Sequence, residues 1–102
     1  MSTPITVTIA HQLGAAEARR RIEAGFENIS RQMPGSGTSR RHWDGDRLSF
    51  SVTALGQTIS GTLHVLDAAV VLRIELPGVL GMIAHGLKGR LQNAVQLLLK
   101  KQ

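Results

Sequence analysis

Four histidines, His11, His42, His64 and His85, are the side chains here best suited to metal binding or proton transfer. A protein zinc site usually announces a local ligand pair, at i,i+4 on a helix or i,i+2 on a strand. No two of these histidines stand at either spacing, and no carboxylate sits at a ligand-like offset within a helix. They read as ordinary surface or half-buried histidines, and no metal or cofactor is expected. The chain has no cysteine, which excludes thiolate catalysis, disulfides and cysteine zinc sites.

Other fragments of chemistry are equally incomplete. Asp44-Gly45-Asp46 holds two carboxylates, but the further ligand positions of a calcium loop are missing, and a hairpin turn explains all three residues. Gly35-Ser36-Gly37 lacks the lysine and following helix of a phosphate loop. There is no nucleophile-elbow motif and no nucleophile beside a base in a motif. Nucleic-acid binding needs a basic patch with stacking aromatics. The aromatics are Phe26, Phe50 and Trp43; both phenylalanines fall on core positions, and Trp43 reads as packing over a sheet edge. An enzyme and a nucleic-acid binder are therefore both disfavoured readings.

Two surfaces remain. The first is a run of Ser49, Ser51, Thr53, Thr58, Ser60, Thr62 and His64 at alternating positions, rich in hydroxyls. It suits a solvated sheet face, or the rim of a groove in which Ser60, Thr62 and His64 would meet an apolar acyl ligand held between sheet and last helix. The second is the C-terminal segment. Val79, Leu80, Met82 and Ile83 form a dense apolar run, and Val95, Leu97 and Leu99 add apolar surface beside the main stripe of that helix. Lys88 and Arg90 give the segment a basic side, the makeup of an interfacial helix. A helix in a two-layer fold cannot bury its whole circumference. Val79, Leu80, Met82, Ile83, Lys88, Arg90, Val95 and Leu99 are therefore the candidate interaction surface, facing a second copy or another partner.

The elements that must carry these residues follow from periodicity. Ile5, Val7 and Ile9 alternate with threonines as in a half-buried strand over residues 4–10. Ala15, Ala18, Ile22, Phe26, Ile29 and Met33 step by three or four and predict a helix over 14–33, closed by Pro34-Gly35-Ser36-Gly37. Glu17 with Arg21, and Glu27 with Arg31, stand at the favourable i,i+4 spacing on its polar side. Residues 40–76 then alternate apolar and polar through four strands. Their turns are expected at Asp44-Gly45, Gly56-Gln57 and Asp67-Ala68.

After Pro77-Gly78, Leu80, Ile83, Leu87, Leu91, Ala94 and Leu98 predict a helix from about 79 to about 100. Gly81, Gly86 and Gly89 weaken it by roughly 1 kcal/mol each relative to alanine. Either that helix packs very closely there or residues 79–86 start it irregularly. The order β-α-β-β-β-β-α gives an α+β fold, with two helices on the one apolar face of an antiparallel sheet.

The 102 residues fit one domain spanning 1–102, and a net charge of +5 is compatible with solubility or an anionic partner. No signal peptide or membrane-spanning run is read, so a small cytosolic protein is expected.

Three groups of residues also carry a resemblance. They are His11-x-Leu13 with Glu17-Ala18-Arg19, Trp43-x-Gly45-Asp46-x-Leu48-x-Phe50, and Leu87-Lys88-Gly89-Arg90. In this order and spacing the chain resembles the polyhydroxyalkanoic acid system family, small bacterial proteins encoded near genes for a storage polyester. The resemblance implies a link to polyester granules or their proteins as partners, with no catalytic residues to carry over.

Overall fold

In a computed structural model of the chain, the structure describes residues 2–31, 38–54 and 56–100. Five strands, β1 (Ser2–Ala10), β2 (Thr38–Asp44), β3 (Arg47–Ala54), β4 (Gln57–Val65) and β5 (Ala69–Pro77), form one antiparallel sheet in the order β1-β5-β4-β3-β2. Helix α1 (Ala15–Ser30) follows β1, and helix α2 (Ala84–Leu99) ends the described chain. This is the expected β-α-β-β-β-β-α order. The predicted end of the first helix at Met33 and its 34–37 turn lie outside the described residues.

The period-two pattern decides the faces. Ile5, Val7 and Ile9 of β1, Leu48, Phe50 and Val52 of β3, Ile59, Leu63 and Val65 of β4, and Val70, Leu72, Ile74 and Leu76 of β5 are all buried. They join Ala18, Ile22, Phe26 and Ile29 of α1 and Leu87, Leu91, Val95 and Leu99 of α2 in one core. Both helices therefore cover the same face. Alternation sends the residues between them to the other face, which no element among the described residues covers.

Glycine sets two close approaches in this core. A Cβ on Gly61 of β4 would fall 2.7 Å from the Phe50 ring and 2.5 Å from the Arg73 carbonyl oxygen. Its absence leaves room for Phe50 to lie across the sheet and meet Phe26 edge-on, with centroids 5.5 Å apart. Gly25 of α1 does the same for α2, because its Cβ would overlap Leu98. The crossing is held by Arg21, which pairs with Glu17 at 2.8 Å and donates to the Lys100 carbonyl at 2.7 Å. A cation from α1 thus satisfies a backbone acceptor at the C-terminal end of α2, where the helix dipole favours positive charge.

The predicted second helix is corrected at its start. Residues Gly78–Ile83 form a 3-10 segment and the α-helix begins only at Ala84. Pro77 holds an extended backbone before it, and Gly78 and Gly81 weaken α-helical geometry in the first turns. The irregular start, one of the two alternatives open from sequence, is the one the chain adopts.

Candidate functional site

The 3-10 segment sorts its side chains by threes, because at three residues per turn positions i and i+3 eclipse. Gly78, Gly81 and Ala84 share one side. Gly81 faces β1 there: an added Cβ would stand 2.9 Å from the Thr3 hydroxyl oxygen. Leu80 and Ile83 share the second side, with Leu80 packed against the core and Ile83 39% exposed. Val79 and Met82 share the third and project into solvent at 69% and 97% exposure. The segment is thus anchored by Leu80, Ala84 and the glycine contact while it presents a bare apolar tip. Exposed valine and methionine on a seated backbone are a different matter from a frayed end, since no local rearrangement is needed to offer them.

Helix α2 is not the surface its composition suggested. Val95 is fully buried and Leu99 is 3% exposed, so neither is available to a partner. The expected stripe ran through Ile83 and Leu98. The buried line of α2 instead runs through Leu87, Leu91, Ala94, Val95 and Leu99 with Leu98 half-buried. Of the surplus apolar residues, Leu97 alone stays outside, at 65% exposure. Lys88 and Arg90 are exposed. Two residues apart on a helix, they leave it on opposite flanks, and neither has an ion-pair partner among the described residues. Ile83 occupies the N-cap of α2 without a side-chain cap, and its first turn holds no acidic residue.

Ser60, Thr62 and His64 lie on the uncovered face of the sheet, opposite α2. Their cross-strand neighbours are Ser51, Ser49 and Arg47 on one side and Glu75, Arg73 and Val71 on the other. They cannot rim a groove between sheet and α2, because alternation along β4 points Ile59, Leu63 and Val65 to the helices and these three outward. The side chains between sheet and α2, such as Leu63, Leu72, Leu91 and Val95, are fully buried against one another.

The remaining groups with chemical potential are committed to structure. His11 is buried, accepts from the Leu13 amide at Nδ1 (3.2 Å) and lies 3.0 Å from the Leu66 carbonyl at Nε2. A carbonyl only accepts, so Nε2 carries the proton and neither nitrogen is left for a metal or a substrate. Trp43 donates its indole N–H to Glu23 at 2.6 Å and lies under the Arg19 guanidinium, 4.6 Å from the ring centroid. Arg41 bonds the other Glu23 oxygen at 3.1 Å. The indole hydrogen bond, followed by Arg41, holds the Glu23 carboxyl below its usual range despite some desolvation. This cluster clasps α1 to the sheet edge, the packing role expected for Trp43. Hydrogen bonds from Arg20 and then Arg21 lower Glu17 to about 2.

Among the described residues, no group of three or more His, Asp or Glu could hold a metal ion. None of their helices is long and apolar enough to cross a membrane. An open groove of about 840 Å³ runs between the end of β1 and the last turns of α2, lined by Ile9, His11, Gln12, Gln96, Leu97 and Lys100 among others.

One signal went unread in the sequence. From Leu76 to Gln102 there is no aspartate or glutamate, and that stretch holds Lys88, Arg90, Lys100 and Lys101. The preceding residues carry eight Lys or Arg against seven Asp or Glu. Nearly all of the net charge therefore belongs to the segment that also bears the apolar tip.

Residues 5–100 match the protein family described as "Putative polyhydroxyalkanoic acid system protein". No curated protein and no solved structure gives a significant match.

Proposed function

Because the chain belongs to the polyhydroxyalkanoic acid system protein family, we propose that it is a non-enzymatic accessory of polyester storage, acting in the cytoplasm at the granule surface. Contact is made by the apolar tip of the 3-10 segment, with Val79 and Met82 foremost. The observation that carries this reading is their 69% and 97% exposure on a backbone anchored by Leu80 and Ala84.

The mode differs from that of an amphipathic helix lying flat on a surface. The apolar stripe of α2 is spent on the core, so the tip, rather than a whole helix face, is what enters an apolar phase. Full burial of one valine and one methionine is worth about 3–6 kcal/mol together, an upper bound here because Val79 is already partly covered. That corresponds to roughly two to four orders of magnitude in partitioning, enough for reversible association. Ser60, Thr62 and His64 face away from α2 and do not line the open groove at the end of β1, which makes an acyl-ligand site rimmed by them the weaker reading.

The test is fractionation of granule-forming cells on a density gradient. The protein should travel with the granules, and the double variant Val79→Ser, Met82→Ser should move to the soluble fraction while keeping its circular dichroism spectrum. A wild-type protein that stays soluble in granule-filled cells would refute the reading.

A further inference from the structure

We infer that the surface met by this tip is an anionic phospholipid layer, and that Lys88 and Arg90 read its charge while Val79 and Met82 enter its apolar interior. The inference rests on the interfacial reading above and adds the chemistry of the partner.

Charge complementarity supports it. The chain carries no aspartate or glutamate from Leu76 onward, and four of its twelve Lys and Arg residues lie in that stretch. The arginines before it are largely engaged within the fold: Arg20 and Arg21 with Glu17, Arg41 with Glu23, and Arg19 over Trp43. Lys88 and Arg90 are exposed and without ion pairs among the described residues. Counted from Ala84, they stand about 6 and 9 Å along the helix axis. Both cations thus follow the start of α2 within about two helical turns, near enough to the tip to meet headgroups beside it.

A bare polyester presents neutral ester groups, to which unpaired cations add nothing. A phospholipid layer with anionic headgroups uses both features present: the apolar tip and the exposed cations that follow it. Two cations close to such a surface give a preference of roughly 30-fold over a neutral one, and salt screens it.

The experiment is sedimentation of the full-length protein with vesicles of phosphatidylcholine alone or mixed with phosphatidylglycerol, beside lipid-free polyester particles. The expected result is binding tens of times tighter to the phosphatidylglycerol vesicles and weaker as salt rises. Lys88→Gln with Arg90→Gln should reduce it to the phosphatidylcholine level without changing the melting temperature. Val79→Ser with Met82→Ser should abolish it. Equal binding to both vesicle types would overturn the inference, as would full retention of the preference in the Lys88, Arg90 variant. Tight binding to polyester particles without lipid preference overturns it while leaving the granule reading intact. Lipid binding by a protein absent from granules in cells leaves the inference standing and overturns the granule reading. A dimer whose tip is covered by a second copy, dissolved by the Val79, Met82 variant and indifferent to vesicles, overturns both.

Discussion

Replacing Gly25 with alanine should destabilise the protein, and the same replacement should stabilise it once Leu98 is also alanine. An ideal Cβ at position 25 would lie 2.2 and 2.9 Å from the two methyl carbons of Leu98, where ordinary contact begins at 3.4 Å. Alanine in a helix interior gains about 1 kcal/mol over glycine. Overpacking of this kind costs about 1–3 kcal/mol, because Leu98 must leave its place beside the core. The net effect in the wild-type background is a loss of up to about 2 kcal/mol. With Leu98→Ala the obstacle is gone and the propensity gain of about 1 kcal/mol should emerge alone. Urea unfolding of the four proteins, followed by circular dichroism, yields the cycle directly. Residues in contact couple, whereas independent sites add within about 0.5 kcal/mol. Additive effects, or a stabilising Gly25→Ala in the wild type, would refute the close crossing of α1 and α2.

Gly86 and Gly89 make the complementary case. A Cβ at either meets nothing within 4 Å, so Gly86→Ala and Gly89→Ala should each stabilise by up to about 1 kcal/mol. Thermal unfolding should then rise by roughly 4–8 °C per kcal/mol, and a fall would contradict the open space seen there. Glu23 predicts a pH effect. Its carboxyl is held below the usual range in the folded protein, so its contribution is present above the unfolded pKa near 4.5 and is lost as pH falls through the lower, folded value. Glu23→Gln should flatten the loss of stability as pH falls below about 4.5. Fluorescence of Trp43, the one tryptophan in the chain, should titrate with it. An identical acid profile in the variant would remove Glu23 from the account.

Much of the fold was legible along the chain because burial here is a local pattern. Ile5-Val7-Ile9, Leu48-Phe50-Val52 and Val70-Leu72-Ile74-Leu76 each declare a strand and a buried face at period two, and Ala18-Ile22-Phe26-Ile29 declares a helix. The hydroxyl-rich sheet face, the hairpin at Gly45 and the Glu17–Arg21 pair follow from the same short-range spacings. The family resemblance followed from the order of short motifs, and the comparison with known families bears it out over residues 5–100.

Tertiary structure decided the rest. Val95 and Leu99 are apolar in the same way as Val79 and Met82, and composition treats all four as candidate surface. Their fates diverge because Val79 and Met82 sit on the outer side of the 3-10 segment, whereas Val95 and Leu99 sit on the side of α2 that joins the core. In the same way Ser60 and Thr62 belong to a sheet face, but which face the helices cover is settled by packing, and it places them opposite α2. The tasks of Gly25, Gly61, His11 and Arg21 are likewise set by partners tens of residues away or, for Gly61, across neighbouring strands. A chain writes its periodicities locally, whereas steric room and hydrogen-bond partners exist only between segments brought together by folding.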